Sequence, residues 1–156
     1  MAASGATPIQ LYHSTTGGAA PTAGNLIAGE LGLNIADMKL YCENSSGVVK
    51  MLAAPGVPRS GSAKTTSYSL ATTDVGQLIE IGSGGSVTIP DATFALGDAV
   101  AIFNNTSAGI TITCTITTAY IAGTDADKAT VTLATRGVAT VLFISGTVCV
   151  ITGNVS

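Results

Sequence analysis

Alternation is the plainest signal in this chain. In "ITITCTIT", Ile110, Ile112, Cys114 and Ile116 fall on one side and threonines on the other. That period of two belongs to a half-buried strand, read here as antiparallel. "SVTIP" repeats it and ends at Pro90, which cannot donate to a ladder. Similar short apolar runs predict strands at Tyr68–Leu70, Gln77–Ile81, Ser86–Ile89, Ala99–Phe103, Ile110–Thr117, Thr130–Leu133, Val138–Ser145 and Thr147–Ile151. Turn clusters at Gly82–Gly85, Asn104–Gly109 and Ser145-Gly146 separate them. The first of these, inside "GSGGS", reads as a hairpin turn between two strands. No stretch carries a helical period. The expected fold class is all-β, with residues 68–156 forming an antiparallel β-sandwich or barrel of about eight strands.

The N-terminal third follows a different plan. "TTGGAAPTAGN" reads as a loop or extended arm. "GELGLNIADMKLYCENSSGVVKML" then offers three short runs, Leu31–Ile35, Lys39–Cys42 and Val48–Leu52. Its breaks fall at Ala36-Asp37-Met38, where Asp37 favours an Asx-type turn, and at Asn44-Ser45-Ser46-Gly47, where Gly accepts positive φ. Three such strands are marginal alone and need a packed face. "AAPGVPRSGSAKTTS" carries prolines, glycines and serines with little apolar content. The expected organisation is therefore a docking and trimerisation segment at 1–52, a linker at 53–67 and a β domain at 68–156.

Composition sharpens this picture. Only 10% of the 156 residues are charged, against 46% hydrophobic, where roughly 25% charged is usual. Either much surface is buried against other chains, or a Ser/Thr-rich β surface keeps the protein in solution. The six basic residues are scattered, net charge is −3 and Trp is absent, which argues against direct nucleic-acid binding. "MAASGATPIQ" lacks the basic start and apolar core of a signal peptide. "VATVLFISGTVCVIT" is too short for a membrane-spanning helix, which needs about 20 apolar residues, and a hairpin is the better reading.

Candidate chemistry is sparse. A catalytic triad or dyad would have to use His13, the single histidine, which lies in the N-terminal arm rather than on a firm scaffold. Cys42, Cys114 and Cys149 lack metal-ligand spacing and leave one unpaired; they fit assembly in a reducing cytoplasm. Asp125 and Asp127 have the spacing of two calcium ligands, but the further acidic or amide ligands of a calcium loop are missing and a polar turn is the better reading. No P-loop or dinucleotide motif follows the glycines. The sequons at Asn44, Asn104, Asn105 and Asn154 mean little without a secretion signal. The expectation is a protein that is not an enzyme and uses no cofactor or metal.

Residues 7–53 resemble a segment common near the N-termini of tailed-bacteriophage fibre and decoration proteins. The resemblance is carried by Pro21, Leu26, Gly29, Glu30, Leu31, Asn34, Asp37, Lys39, Leu40, Tyr41, Gly47, Val48 and Leu52. Met38 departs from it, standing where that pattern often has Gly. "YSLATTDVGQLIEIGSGGSVTIP" and "ITGNVS" resemble, less specifically, a β module of phage structural proteins. The resemblance implies a virion structural protein, commonly homotrimeric, made in the host cytoplasm and displayed on the outside of the particle. Its partners would be further copies of itself and a major capsid or tail protein, with neither nucleic acid nor membrane involved. The leading reading is a capsid decoration (cement or head-fibre) protein. The runner-up is a short tail fibre or tail adaptor, and a carbohydrate-binding β module comes third because aromatics are few. Candidate docking residues are Ile9, Leu11, Tyr12, Leu31, Leu33, Ile35, Leu40 and Tyr41. Leu31, Leu33 and Ile35 are expected to form one stripe, with Tyr41 as a pocket anchor.

Overall fold

The structure, a computed structural model, describes residues 11–156. The chain separates into two compact units at Gly56/Val57, a point inside the Pro/Gly-rich stretch. Both units are all-β.

In the first unit, strands β1 (Tyr12–Ser14), β2 (Leu31–Asn34), β3 (Lys39–Glu43) and β4 (Val49–Ala53) form one sheet in sequence order. β1 joins β2 in parallel, whereas β2–β3 and β3–β4 are antiparallel. The Asn44–Gly47 turn closes as expected: the Gly47 N–H donates to Asn44 O at 3.1 Å, and Gly47 takes φ +72°. Asn44 Oδ1 also accepts the N–H groups of Ser46 and Val48.

The second unit is a β-solenoid, which corrects the antiparallel sandwich or barrel. β5 (Ser67–Ser69), β7 (Ser86–Ile89) and β9 (Ile110–Cys114) stack in parallel in one sheet. β6 (Leu78–Ile81) and β8 (Ala99–Asn104) stack in parallel in the other. The chain therefore winds from sheet to sheet instead of folding back through hairpins. Later strands close the coil. β10 (Thr118–Ile121), which the sequence reading did not anticipate, pairs in parallel with β13 (Val148–Gly153). β11 (Thr130–Leu133) runs antiparallel to β9, and β12 (Val138–Ser145) runs antiparallel to both β8 and β13. Only β12–β13 is a tight hairpin, turning at Gly146-Thr147.

Alternation alone does not reveal the direction of pairing, because parallel and antiparallel strands share the period of two. The β9 strand illustrates this, being parallel to β7 on one side and antiparallel to β11 on the other. In "ITITCTIT" and "SVTIP" the inward residues nevertheless fall where the alternation put them, and the other strands alternate in the same way. Ile79, Ile81, Val87, Ile89, Val100, Ile102, Ile112, Leu133, Val141, Phe143, Cys149 and Ile151 have no exposed surface. Phe94 stacks on Phe143 at 3.9 Å between ring centroids.

The "GSGGS" stretch is a corner between the two sheets, not a hairpin, since β6 and β7 belong to different sheets. The turn is tight because the 61–65 segment passes over it. A Cβ on Gly85 would overlap the Lys64 carbonyl oxygen and come within 2.7 Å of Ile81 Cγ2. Residues 58–64 run along the free edge of β6: Leu78 N–H donates to Pro58 O, Ser60 N–H to Leu78 O and Lys64 N–H to Glu80 O. The buried carboxylate of Asp74 ties this segment to the first coil. It accepts from Ser60 Oγ at 2.8 Å, from Tyr68 Oη at 2.9 Å and from the Ala71 N–H at 2.8 Å. At the opposite side of the fold the Ser156 and Thr132 N–H groups exchange bonds with each other's carbonyls.

Two outcomes follow from this packing. Gly85→Ala lowers the unfolding free energy by about 3 kcal/mol, because backbone must shift to admit the methyl; urea unfolding reads it. Burial pushes the Cys114 thiol up to about 11 and the Cys149 thiol to about 12, with Asp127 adding to both. Raised folded-state values mean that the unfolded chain loses these protons first. The thiols' contribution to stability is therefore complete below the unfolded value near 9 and is lost as pH rises through 11–12. Chemical denaturation across this alkaline range should show the decline, and Cys149→Ala should make it shallower.

Candidate docking face

The first unit has two dissimilar faces. On one, cross-strand register places Gly32 opposite Tyr41 and Tyr12, and Asn34 opposite Ser14. The preceding loop covers this face. A side chain on Gly32 would meet Pro21 Cγ at 3.3 Å and Leu26 Cδ1 at 3.5 Å, so glycine is what lets the loop lie down. Asn34 is its polar hub and is almost wholly buried. Its Nδ2 donates to Thr16 O at 2.9 Å and Ala19 O at 2.7 Å, and its Oδ1 accepts the Asp37 N–H at 3.0 Å. Asp37 in turn accepts the Gly18 N–H at 2.7 Å and lies 3.6 Å from Lys39 Nζ. Asn34, not Asp37, thus supplies the Asx-type acceptor of the first turn. In that turn Met38 takes φ +56°, the left-handed conformation that the Gly of the resembling pattern would adopt without strain.

The other face carries the apolar residues. Leu31 stands opposite Cys42, and Leu33 opposite Leu40. Lys50 lies opposite Cys42, while Leu52 and Ala53 share Leu40 across a β-bulge. Leu31, Leu33, Leu40 and Cys42 are each partly exposed and Leu52 is 58% exposed. The arrangement inverts the usual one: loop, glycine and asparagine fill the covered side, and leucines line the side over which no loop of this unit passes among the described residues.

The candidate docking residues divide accordingly. Leu31, Leu33 and Leu40 come together on the open face, and His13, exposed, pairs with Leu33 at its margin. Ile35 is 45% exposed but belongs to the turn after β2, not to the strand itself. Leu11 is half-buried immediately before β1. Ile9 lies outside the described residues. Tyr12 and Tyr41 sit on the covered side. Tyr41, only 8% exposed, is a packing residue of its own unit rather than an anchor for a partner. The reason is its parity: one step along β3 from both Leu40 and Cys42, its side chain must point the opposite way.

The sequence reading also missed Cys42 as a member of the open face and Asn34 as the hub of the covered one. Cross-strand register was the signal needed to find them. The carboxylate of Glu43 is a further surprise. It is buried on the Tyr41 side, and its Oε2 makes no hydrogen bond among the described residues.

A groove of about 100 Å³ lies between Tyr12, Ser14, Ala19, Pro21 and Asn34, small beside the roughly 300–1,000 Å³ of small-molecule sites. Asp127 Oδ1 accepts the Ala119 N–H at 2.8 Å, which gives that aspartate a place in the turn before β11. Among the described residues no group of three His, Cys, Asp or Glu side chains converges on a metal position, and no helix is long and apolar enough to cross a membrane. No protein-family model matches the chain, and no curated protein matches it.

Two measurements probe this unit. Met38→Gly raises the unfolding free energy by about 0.5–1 kcal/mol, since it relieves the left-handed strain and the exposed Met38 side chain has little packing to lose. In the native free chain a thiol reagent should label Cys42 and spare Cys114 and Cys149, whereas all three react in denaturant.

Proposed function

We propose that this chain is a non-enzymatic virion structural protein that docks on its particle through the first unit and displays the solenoid outward. Capsid decoration, as a homotrimeric cement or head-fibre protein on the outer surface, is the form we favour. The observation that carries the reading is the open leucine face of Leu31, Leu33 and Leu40, on a sheet whose other side is already covered. A sheet this small, with its apolar side left partly exposed by the described residues, gains most by lying on another protein. Its β4 edge additionally offers backbone groups for strand addition. The resemblance of residues 7–53 to phage fibre and decoration proteins supports the same reading, as does the paucity of charge.

The test is incorporation. Replacing Leu31 and Leu33 together by Asp should weaken particle association by more than ~100-fold, because each carboxylate would be buried without a partner. The free double variant should keep its circular dichroism, as neither leucine is a core residue. Normal incorporation of the double variant would overturn the docking assignment. Copy number separates the two attachment points: stoichiometry comparable to the capsid subunits means decoration, and a few copies per particle means a tail fibre or adaptor. On assembled particles the Cys42 thiol should lose its reactivity.

A further inference from the structure

The solenoid's two outer surfaces are chemically opposite. On the β5–β7–β9–β11 sheet the outward positions are hydroxyls: register aligns Ser69, Thr88, Thr113 and Thr130 in one row across the four strands. On the β6–β8–β12–β13–β10 sheet the outward positions are mostly apolar, with Thr118, Thr140, Thr152 and Glu80 as the polar members. Leu142 lies between Val150 and Ala99, Val138 faces Phe103, and Tyr120 flanks Val150. Val138, Leu142 and Ile144 are 46%, 41% and 43% exposed. These side chains belong to neither the inter-sheet core nor the docking face.

From this we infer that the apolar outer face of the β6–β8–β12–β13–β10 sheet is a self-association surface, on which the occupant is a second copy of this chain. Three observations select that occupant. First, the strands place only one charge on the face, Glu80 on β6, which Arg59 engages at 2.8 Å and Asn105 Nδ2 at 2.8 Å. A charged partner would find nothing to pair with, whereas two copies of a neutral face meet without repulsion despite a net charge of −3 on each chain. Second, both edges of the sheet are occupied, by residues 58–64 beside β6 and by Asp127–Lys128 beside β10. Copies must therefore meet face to face rather than edge to edge. Third, the size fits. Five strands of four to eight residues, at ~4.8 Å spacing and ~3.3 Å rise, span roughly 450 Å² in projection. With side-chain relief, that approaches the ~600–1,000 Å² per partner of a stable interface.

The inference rests on the proposal above only in taking copies of the chain to associate, and it assumes nothing about the particle. Its test is the oligomeric state of the full chain in solution, by sedimentation velocity over micromolar concentrations. The wild type should sediment as an oligomer. Leu142→Lys combined with Val150→Lys should weaken self-association at least ~100-fold, while Thr111→Lys with Thr132→Lys on the hydroxyl face should leave it unchanged. Circular dichroism establishes that each variant is folded. A second measurement avoids disruptive charges. In a Cys42→Ser background, a bifunctional maleimide should cross-link Leu142→Cys chains into covalent dimers and leave Thr132→Cys chains single. A monomeric wild type overturns the inference, and if that monomer still docks on particles the docking proposal stands. An oligomer that survives the Leu142/Val150 substitutions, or equal cross-linking from the two faces, overturns the inference alone.

Discussion

One dry seam of β-branched side chains between two sheets governs residues 57–156. Isoleucines and valines from β6, β7, β8 and β9 meet there with no exposed surface, and burying each contributes on the order of 1.5–3 kcal/mol. A parallel coil forms only if the chain crosses the seam after each short strand, so the corners must be as compact as the core is full. Gly85 and its neighbours make one corner compact by allowing the backbone of residue 64 to pass over them. Asn104 does comparable work elsewhere: its buried Nδ2 donates to the carbonyls of Ala108 and Ala134 at 2.8 Å. Seam and corners are one constraint, since loosening a corner would move a strand off the seam.

The sequence carried much of this, unevenly. Strand positions were legible because a half-buried strand must alternate whatever its neighbours do. Direction was not, because it depends on which strand the chain meets next, and "GSGGS" serves a hairpin or a corner equally well. β10 begins just past the run read as a single strand over Ile110–Thr117; its Thr118–Ile121 segment has no alternation long enough to register. In the first unit the Leu31/Leu33/Leu40 face was legible in part and the placing of Tyr41 was not. An aromatic beside a leucine in sequence is pointed away from it by the pleat. Asn34 looked like a turn residue and is in fact the buried hub that holds the loop.

The residues shared with the phage-like pattern turn out to be largely those that build the first unit rather than those that face outward. Gly29 and Gly47 take positive φ, Leu26 plugs the covered face, Asn34 and Asp37 fasten the loop, and Tyr41 packs opposite Gly32. Leu31, Leu40 and Leu52 are the exceptions, being both part of the pattern and on the open face. The scarcity of charge also finds a physical account here. Serine and threonine hydroxyls hydrate one surface of the solenoid without any ionised group, so the small charged complement is spent mainly in turns and edge contacts such as Arg59–Glu80 and Lys39–Asp37.

The fastening at Asp74 has a mechanical consequence. In a protein anchored by its N-terminal unit, drag on the solenoid enters through residues 57–64, the first length of chain to come under tension. That length is held by hydrogen bonds to β6 and by the Ser60 hydroxyl on the Asp74 carboxylate, which Tyr68 and the Ala71 N–H also grip. Under the proposed attachment, the Asp74 contacts would spread a pull along the backbone into two strands and a turn before it reaches the apolar seam.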